Sequence, residues 1–362
     1  TFESVYSNSK GGVAYSGGTL TITGSPSFAG NQSGYGGALF AAGTATISDN
    51  PTFDNNYANY GGAIYADTVD FQGGSIDYTN GGPSAVYGGG IYGKTSVTIS
   101  GGTFDGLEAN SRGGAAYSGG AITISNSPDF TGNRSGYGGA LYATGTATVG
   151  GNPTFDNNYA TKYGGAIYAN VVNFQGGSID YTNDGYAAND GGGLFGKSSV
   201  TISGGTFDGL KANSRGGAAY SGGTMTVSSS PVFRSNQAVN GGALYSKGNA
   251  TISGTPLFAD NYASSYGGAI YGYANVYFES GSIENTLLED SESRLAAGFS
   301  GGGIFSIGTL EISGGLFRYL KATSYGGAAF ARGAIEVSGS ATFEKNQANS
   351  GGAVSGYADL DI

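Results

Sequence analysis

Hydrophobic positions along the chain follow two rhythms. Short stretches alternate, as in Thr19-Leu20-Thr21-Ile22 and Thr44-Ala45-Thr46-Ile47. Alternation at period two puts Leu20 and Ile22 on one face of a strand and the threonines on the other. Between these stretches a second pattern recurs: Gly-Gly, a small residue, an aliphatic residue, an aromatic. It begins at Gly11, Gly36, Gly61, Gly88, Gly113, Gly138, Gly164, Gly191, Gly216, Gly241, Gly267, Gly301, Gly326 and Gly351. The steps are 25 to 27 residues, with one of 34, so the chain reads as about fourteen units of about 25 residues. Each unit predicts three short strands. The first ends on Phe, as in Pro-Ser-Phe28 and Pro-Thr-Phe53; the second follows Gly-Gly, as in Ala38-Leu39-Phe40; the third is the alternating stretch. Gly, Asn, Ser and Asp fill the gaps and suit tight corners. Three strands and three corners fit one turn of a parallel β-helix, an all-β solenoid whose stacked turns bury a continuous core. A β-propeller would need longer strands and hairpin turns.

The core is readable by position. The residue after Gly-Gly-small runs Ala14, Leu39, Ile64, Ile91, Ala116, Leu141, Ile167, Leu194, Ala219, Leu244, Ile270, Ile304 and is predicted to point inward. Pairs such as Val97 with Ile99 and the Phe of the first strand complete each layer. Units group in fours, and copies are close to verbatim: Phe71–Asn80 and Phe174–Asn183 both read FQGGSIDYTN. One continuous solenoid over 1–362 is expected, in blocks 1–102, 103–205, 206–315 and a partial 316–362, with a loop insertion at 284–300. Thr1 already lies inside a repeat and Ile362 stops within one, which reads as a segment of a longer protein.

Composition narrows the chemistry. The chain has 72 Gly, 27 Tyr and 19 Phe in 362 residues, no Cys, His or Trp, and a formal net charge of −10. Without Cys and His there is no disulfide, no thiolate, no Ser-His-Asp triad and few routes to a transition-metal site. Acidic charge with scattered Lys and Arg argues against nucleic acid. No apolar run is long enough for a transmembrane helix, so no membrane insertion of this segment is expected. No cofactor is expected. Calcium is the one ion that clusters such as Asp54-Asn55-Asn56 or Asn183-Asp184 could hold.

Seven units carry Phe-x-x-Asn, and the asparagines Asn31, Asn56, Asn133, Asn158, Asn236, Asn261 and Asn346 are expected to form a structural ladder along the stack. Val5, Leu107, Leu210 and Leu320 replace Asn in the first unit of each block and would interrupt it. Phe-x-x-Asn alternating with Gly-Gly-Ala-Ile resembles the chlamydial polymorphic outer-membrane protein repeat of autotransporter passengers. Phe53-Asp-Asn-Asn56 precedes Gly61-Gly-Ala-Ile64, and Phe155-Asp-Asn-Asn158 precedes Gly164-Gly-Ala-Ile167. The resemblance implies a right-handed β-helix carried to the cell surface by a C-terminal barrel and acting in adhesion. Chlamydial members usually contain cysteines; this chain has none.

Two further arrays bear on function. The aromatic after the inward aliphatic runs from Tyr15 and Phe40 to Phe330; pointing outward, it would make a stripe suited to sugar rings, or stack for its own sake. Fourth units carry longer loops, Asp77–Tyr87, Asp180–Asp190 and Glu284–Ser300. Tyr78, Tyr87, Tyr181, Asp184, Tyr186 and Asp190 in the first two are partner-binding candidates, because loops on a rigid scaffold carry function. The third predicts a short helix from Asn285 through Leu295 and offers Glu289, Asp290 and Arg294. Carboxylates recur with the block, Asp77 as Asp180 and Asp105 as Asp208, which suits a repeated surface better than one catalytic site. The expectation is a non-catalytic extracellular segment on a bacterial surface, contacting a protein or glycan of a host or neighbouring cell, or itself end to end. A spacer or filament subunit is the alternative. A polysaccharide-acting β-helix enzyme and a threonine-faced ice binder rank lower.

Overall fold

Each turn closes at its Gly-Gly step, and sterics explain why both residues are glycine. Gly61 sits at φ 64°, and a Cβ there would lie 2.1 Å from the Ile64 carbonyl oxygen. A Cβ on Gly62 would lie 2.0 Å from the Gly89 carbonyl oxygen of the next turn. No side chain fits either gap. The computed structural model describes residues 1–286 and 298–362. It is all-β, a parallel β-solenoid of about 14 turns of about 25 residues. The chain divides into two compact units, Thr1–Ile179 and Asp180–Ile362.

In the first unit, three parallel sheets form the walls. One holds the Phe strands in strict register: Phe2 pairs with Phe28, Phe28 with Phe53, Ile76 with Phe53 and Phe104, and Phe130 with Phe104 and Phe155. Register keeps like beside like, so the rings stack inside the core. Phe28–Phe53 and Phe130–Phe155 centroids are both 4.8 Å apart. Each buried Phe contributes roughly 1.5–3 kcal/mol, and stacking adds about 0.5–1.5 kcal/mol per pair. The opposing wall aligns Leu39, Ile64, Ile91, Ala116, Leu141 and Ile167. All six are buried. The inward assignment of this position holds here; Ala14 is half-buried.

The second unit repeats the plan. Phe207, Phe233, Phe258, Ile283, Phe317 and Phe343 align in one sheet. Leu194, Ala219, Leu244, Ile270, Ile304 and Ala329 align in another.

Strand boundaries differ from those the pattern predicts. The stretch between the asparagine and Gly-Gly, expected as a corner, is a strand: Gln32–Tyr35, Tyr57–Tyr60 and Arg134–Tyr137. The second and third expected strands often run together, as in Leu39–Ile47, Ile64–Phe71 and Leu141–Val149, with a register shift between Ala41 and Thr44. A serine after the aromatic decides the matter in the first unit. Ser118 Oγ donates to the Ala121 carbonyl and accepts from Gly120 N–H, making a turn that splits Ala116–Ser118 from Ala121–Ile124. Where alanine stands instead, as at Ala41, the strand continues.

Candidate functional site

The residue immediately before Gly-Gly ends the newly recognised strand, and these residues stack into a column. In the first unit it runs Tyr35, Tyr60, Tyr87, Arg112, Tyr137 and Tyr163, each beside the next in register. Tyr35 and Tyr60 stack at 5.0 Å, Tyr60 and Tyr87 at 5.5 Å. This column lies against the aromatic array that follows the inward aliphatics. Tyr35 meets Tyr65 edge-on at 5.5 Å and 84°, and Tyr60 meets Tyr92 at 5.5 Å and 88°. The Arg112 guanidinium sits 5.7 Å from the Tyr87 ring and 5.0 Å from Tyr142.

Of the two readings of this array, stacking for its own sake is the one the geometry bears out. Phe40, Tyr117 and Tyr142 are buried, as are Phe195, Tyr220, Tyr245, Tyr271, Phe305 and Phe330 in the second unit, whereas Tyr15 is 59% exposed. The array stacks with itself, Tyr65–Tyr92 at 4.9 Å and Tyr142–Tyr168 at 4.9 Å, under a cover the sequence pattern hid. Its phenols register that cover. Burial first, then neighbouring phenols, raise Tyr65, Tyr92 and Tyr168. Burial raises Tyr142 too, with Arg112 pulling it partly back.

In the second unit the covering column runs Asp190, Arg215, Asn240 and Tyr266. Arg215 makes a two-pronged bond to buried Asp190, Nε to Oδ1 at 2.9 Å and Nη2 to Oδ2 at 2.7 Å. Its guanidinium also faces the Tyr220 and Tyr245 rings at 4.9 and 5.4 Å. The hydrogen bond to Asp190 raises the Arg215 pKa, and burial partly opposes it. Burial pushes the Tyr271 phenol up to about 12, with Tyr245 adding to it.

The asparagines sit at the corner after the Phe strand. Asn56 Nδ2 donates to the Phe28 carbonyl at 2.8 Å, and its Oδ1 accepts from the backbone N–H and the side-chain amide of Asn31. Asn158 and Asn133 repeat this, as do Asn261 and Asn236. Asn31, Asn133, Asn236 and Asn346 in turn accept from the N–H of Val5, Leu107, Leu210 and Leu320. Six of the seven side chains thus form three pairs, each ending where an aliphatic residue replaces Asn, and Asn346 stands without an asparagine partner among the described residues, donating to the Phe317 carbonyl.

The loop candidates separate into buried and exposed. Tyr78 and Tyr87 are half-buried, and Tyr87 belongs to the tyrosine column. Burial, and then Tyr57, raise the Tyr78 phenol. Tyr181 and Asp190 are buried, while Asp184 is exposed and Tyr186 is 50% exposed. Glu289, Asp290 and Arg294, with most of the expected helix, lie outside the described residues. Asp77 sits in a column of carboxylates, beside Asp54 and Asp105. Burial raises its pKa most; a Ser75 hydrogen bond opposes this, and Asp105 and Asp54 add to it. Among the described residues no group of three or more acidic side chains could hold a metal ion, and no helix is long and apolar enough to cross a membrane.

Fold and corner chemistry together define a class: a parallel solenoid whose turns are closed by paired glycines and braced by buried asparagines. Four stretches, 52–67, 129–144, 154–170 and 257–273, match the family model of the Chlamydia polymorphic membrane protein repeat. The chain carries repeats of that class. The matches fall on units that keep both Phe-x-x-Asn and Gly-Gly-Ala-aliphatic. Comparison with curated proteins and with solved structures gives no match. Repeat class and fold fit a surface autotransporter passenger.

Proposed function

We propose that this chain is an attachment segment displayed at a bacterial surface, working by contact rather than by catalysis. The observation that carries the proposal is the match of four stretches to a polymorphic membrane protein repeat on a solenoid scaffold. The scaffold supports it. Its aromatic arrays are largely used up in internal stacking, which leaves variable positions in the first two fourth-unit loops exposed. Asp184 and Tyr186 are exposed on one such loop. Several weak contacts on one chain give strong total attachment when they engage together. The partner is a protein or glycan of a host or neighbouring cell.

Flow cytometry of the purified chain on epithelial and bacterial cells tests this. The comparison set trims the fourth-unit loops one at a time, by deletion within 79–83, within 182–186 and within 287–297. Saturable binding that weakens stepwise with each trimmed loop is expected. A well-folded chain that binds no cell would move the assignment to a spacer or filament subunit.

A further inference from the structure

The first unit holds an open groove of about 400 Å³, and Gln32, Tyr57, Tyr78 and Asn80 contribute its side-chain wall. Gln32 and Tyr57 are neighbours in register on adjacent turns. Tyr57 is 37% exposed. The far wall is fixed in place: the Asn55 side-chain carbonyl accepts the Thr79 N–H at 2.8 Å and the Asn80 N–H at 3.0 Å. The amides of Asn31 and Asn55 are spent on such internal bonds. Those of Gln32 and Asn80 have no hydrogen-bond partner among the described residues. None of the groove-lining residues is charged.

A comparison inside the same unit sharpens the point. One block later, Arg134 takes the place of Gln32 and Tyr159 that of Tyr57. The Arg134 guanidinium lies 4.9 Å over the Tyr159 ring and occupies its face. At Tyr57 a neutral glutamine stands where that guanidinium would be, and the tyrosine is 37% exposed.

We propose that this groove binds an uncharged pyranose unit of a glycan. The Tyr57 ring would take the C–H face of the sugar, an apolar body with a polar tip on each partner. The Gln32 and Asn80 amides, each with donors and an acceptor, would bond vicinal hydroxyls. The Tyr78 phenol would close the side. With no cation in the lining, a sulfate or carboxylate on the sugar would be desolvated without a partner, which disfavours sulfated and sialylated ligands. The proposal deepens the attachment reading and rests on it for its biological sense.

The test is saturation-transfer NMR of the full chain with the methyl pyranosides of glucose, galactose, mannose and N-acetylglucosamine, alongside sialyllactose and heparin. Variants are Tyr57→Ala and Gln32→Arg; the second copies a substitution the chain itself tolerates one block later. Transfer to at least one neutral sugar is expected, with affinity at least about tenfold lower in both variants and unchanged circular dichroism. Silence toward all four neutral sugars, equal transfer in Gln32→Arg, or preference for sialyllactose or heparin would overturn it. Cell binding that persists without any sugar transfer sinks this site and spares the attachment reading. Sugar transfer by a chain that binds no cell does the reverse.

Discussion

At the residue scale, the asparagines show how a polar side chain can be a core residue. A buried amide is costly unless its donors and acceptor are used, and here they are used on backbone groups and on one another. Asn56 satisfies the Phe28 carbonyl and the Asn31 N–H at once. Asn56→Ala removes both bonds and takes the acceptor from the Asn31 N–H, so a loss of about 1–3 kcal/mol is expected at that corner. Because solenoids unfold partly turn by turn, the measurement is hydrogen exchange at the Asn31 amide. Unchanged protection there would sink the argument. Asp77 is the opposite case, a side chain in tension with its place. Folding raises its pKa above the ordinary 3.8, chiefly by burial. The folded chain therefore holds that proton more tightly than the unfolded chain does. The penalty is absent below the unfolded value and is fully present once pH has risen past the folded one. Asp77→Asn is expected to raise the unfolding midpoint at pH 7 and to leave it unchanged at pH 3. An equal shift at both pH values would point to a cause other than charge.

At the element scale, the buried ion pair of the second unit makes a sharper claim. Asp190 has no exposed side-chain surface, so removing its partner leaves an uncompensated charge. Arg215→Gln is expected to cost about 3–5 kcal/mol, and adding Asp190→Asn should restore much of it. A double-mutant cycle by denaturant unfolding checks this; strict additivity would mean the two side chains do not act as a pair. Aliphatic corners make a second unit of packing. A Cβ on Gly90 would lie 3.1 Å from both the Ile76 and Leu107 methyl groups, and Gly303 stands likewise to Ile283 and Leu320. Fourth-unit Ile, following-unit Leu and third Gly thus change together. Gly90→Ala is expected to cost about 1–3 kcal/mol by overpacking, and Leu107→Ala to relieve part of that cost. Both features were in the sequence. The turn length, the Phe column and the inward aliphatics were legible because period-two alternation and Gly-Gly spacing report burial directly. The covering column was not, because Tyr35-Gly36-Gly37 and Arg112-Gly113-Gly114 look like corner sequence. Their strands are four residues long and interrupted by polar residues, so alternation has no room to declare itself. Asp190 looked like a loop residue for the same reason.

At the scale of the whole molecule, the aromatic array and the column that covers it change what the surface can offer. The rings that follow the inward aliphatics form a seam, held by stacking within each unit and, in the first unit, by edge-on contact with the covering tyrosines. Each stacked or edge-on pair adds about 0.5–1.5 kcal/mol beyond its buried area. Under the proposed attachment role, recognition would fall to loops and to grooves such as that beside Tyr57. The seam also sets how the chain responds to alkali. The affected phenols are raised above their ordinary 10.0 mainly by burial, Tyr271 to about 12. A phenol whose folded pKa is raised gives stability that is complete below the unfolded value and is lost as pH climbs through the folded one. Spectrophotometric titration should therefore show phenols that ionise only above pH 10, in step with loss of the β-sheet circular dichroism signal. Arg112→Gln separates the seam from mere burial. Arg112 lowers the Tyr142 and Tyr168 phenols against the larger effect of burial, so without it both should ionise at still higher pH. If every tyrosine titrates together near the ordinary value while the fold persists, the rings are open to water and the seam does not exist in solution.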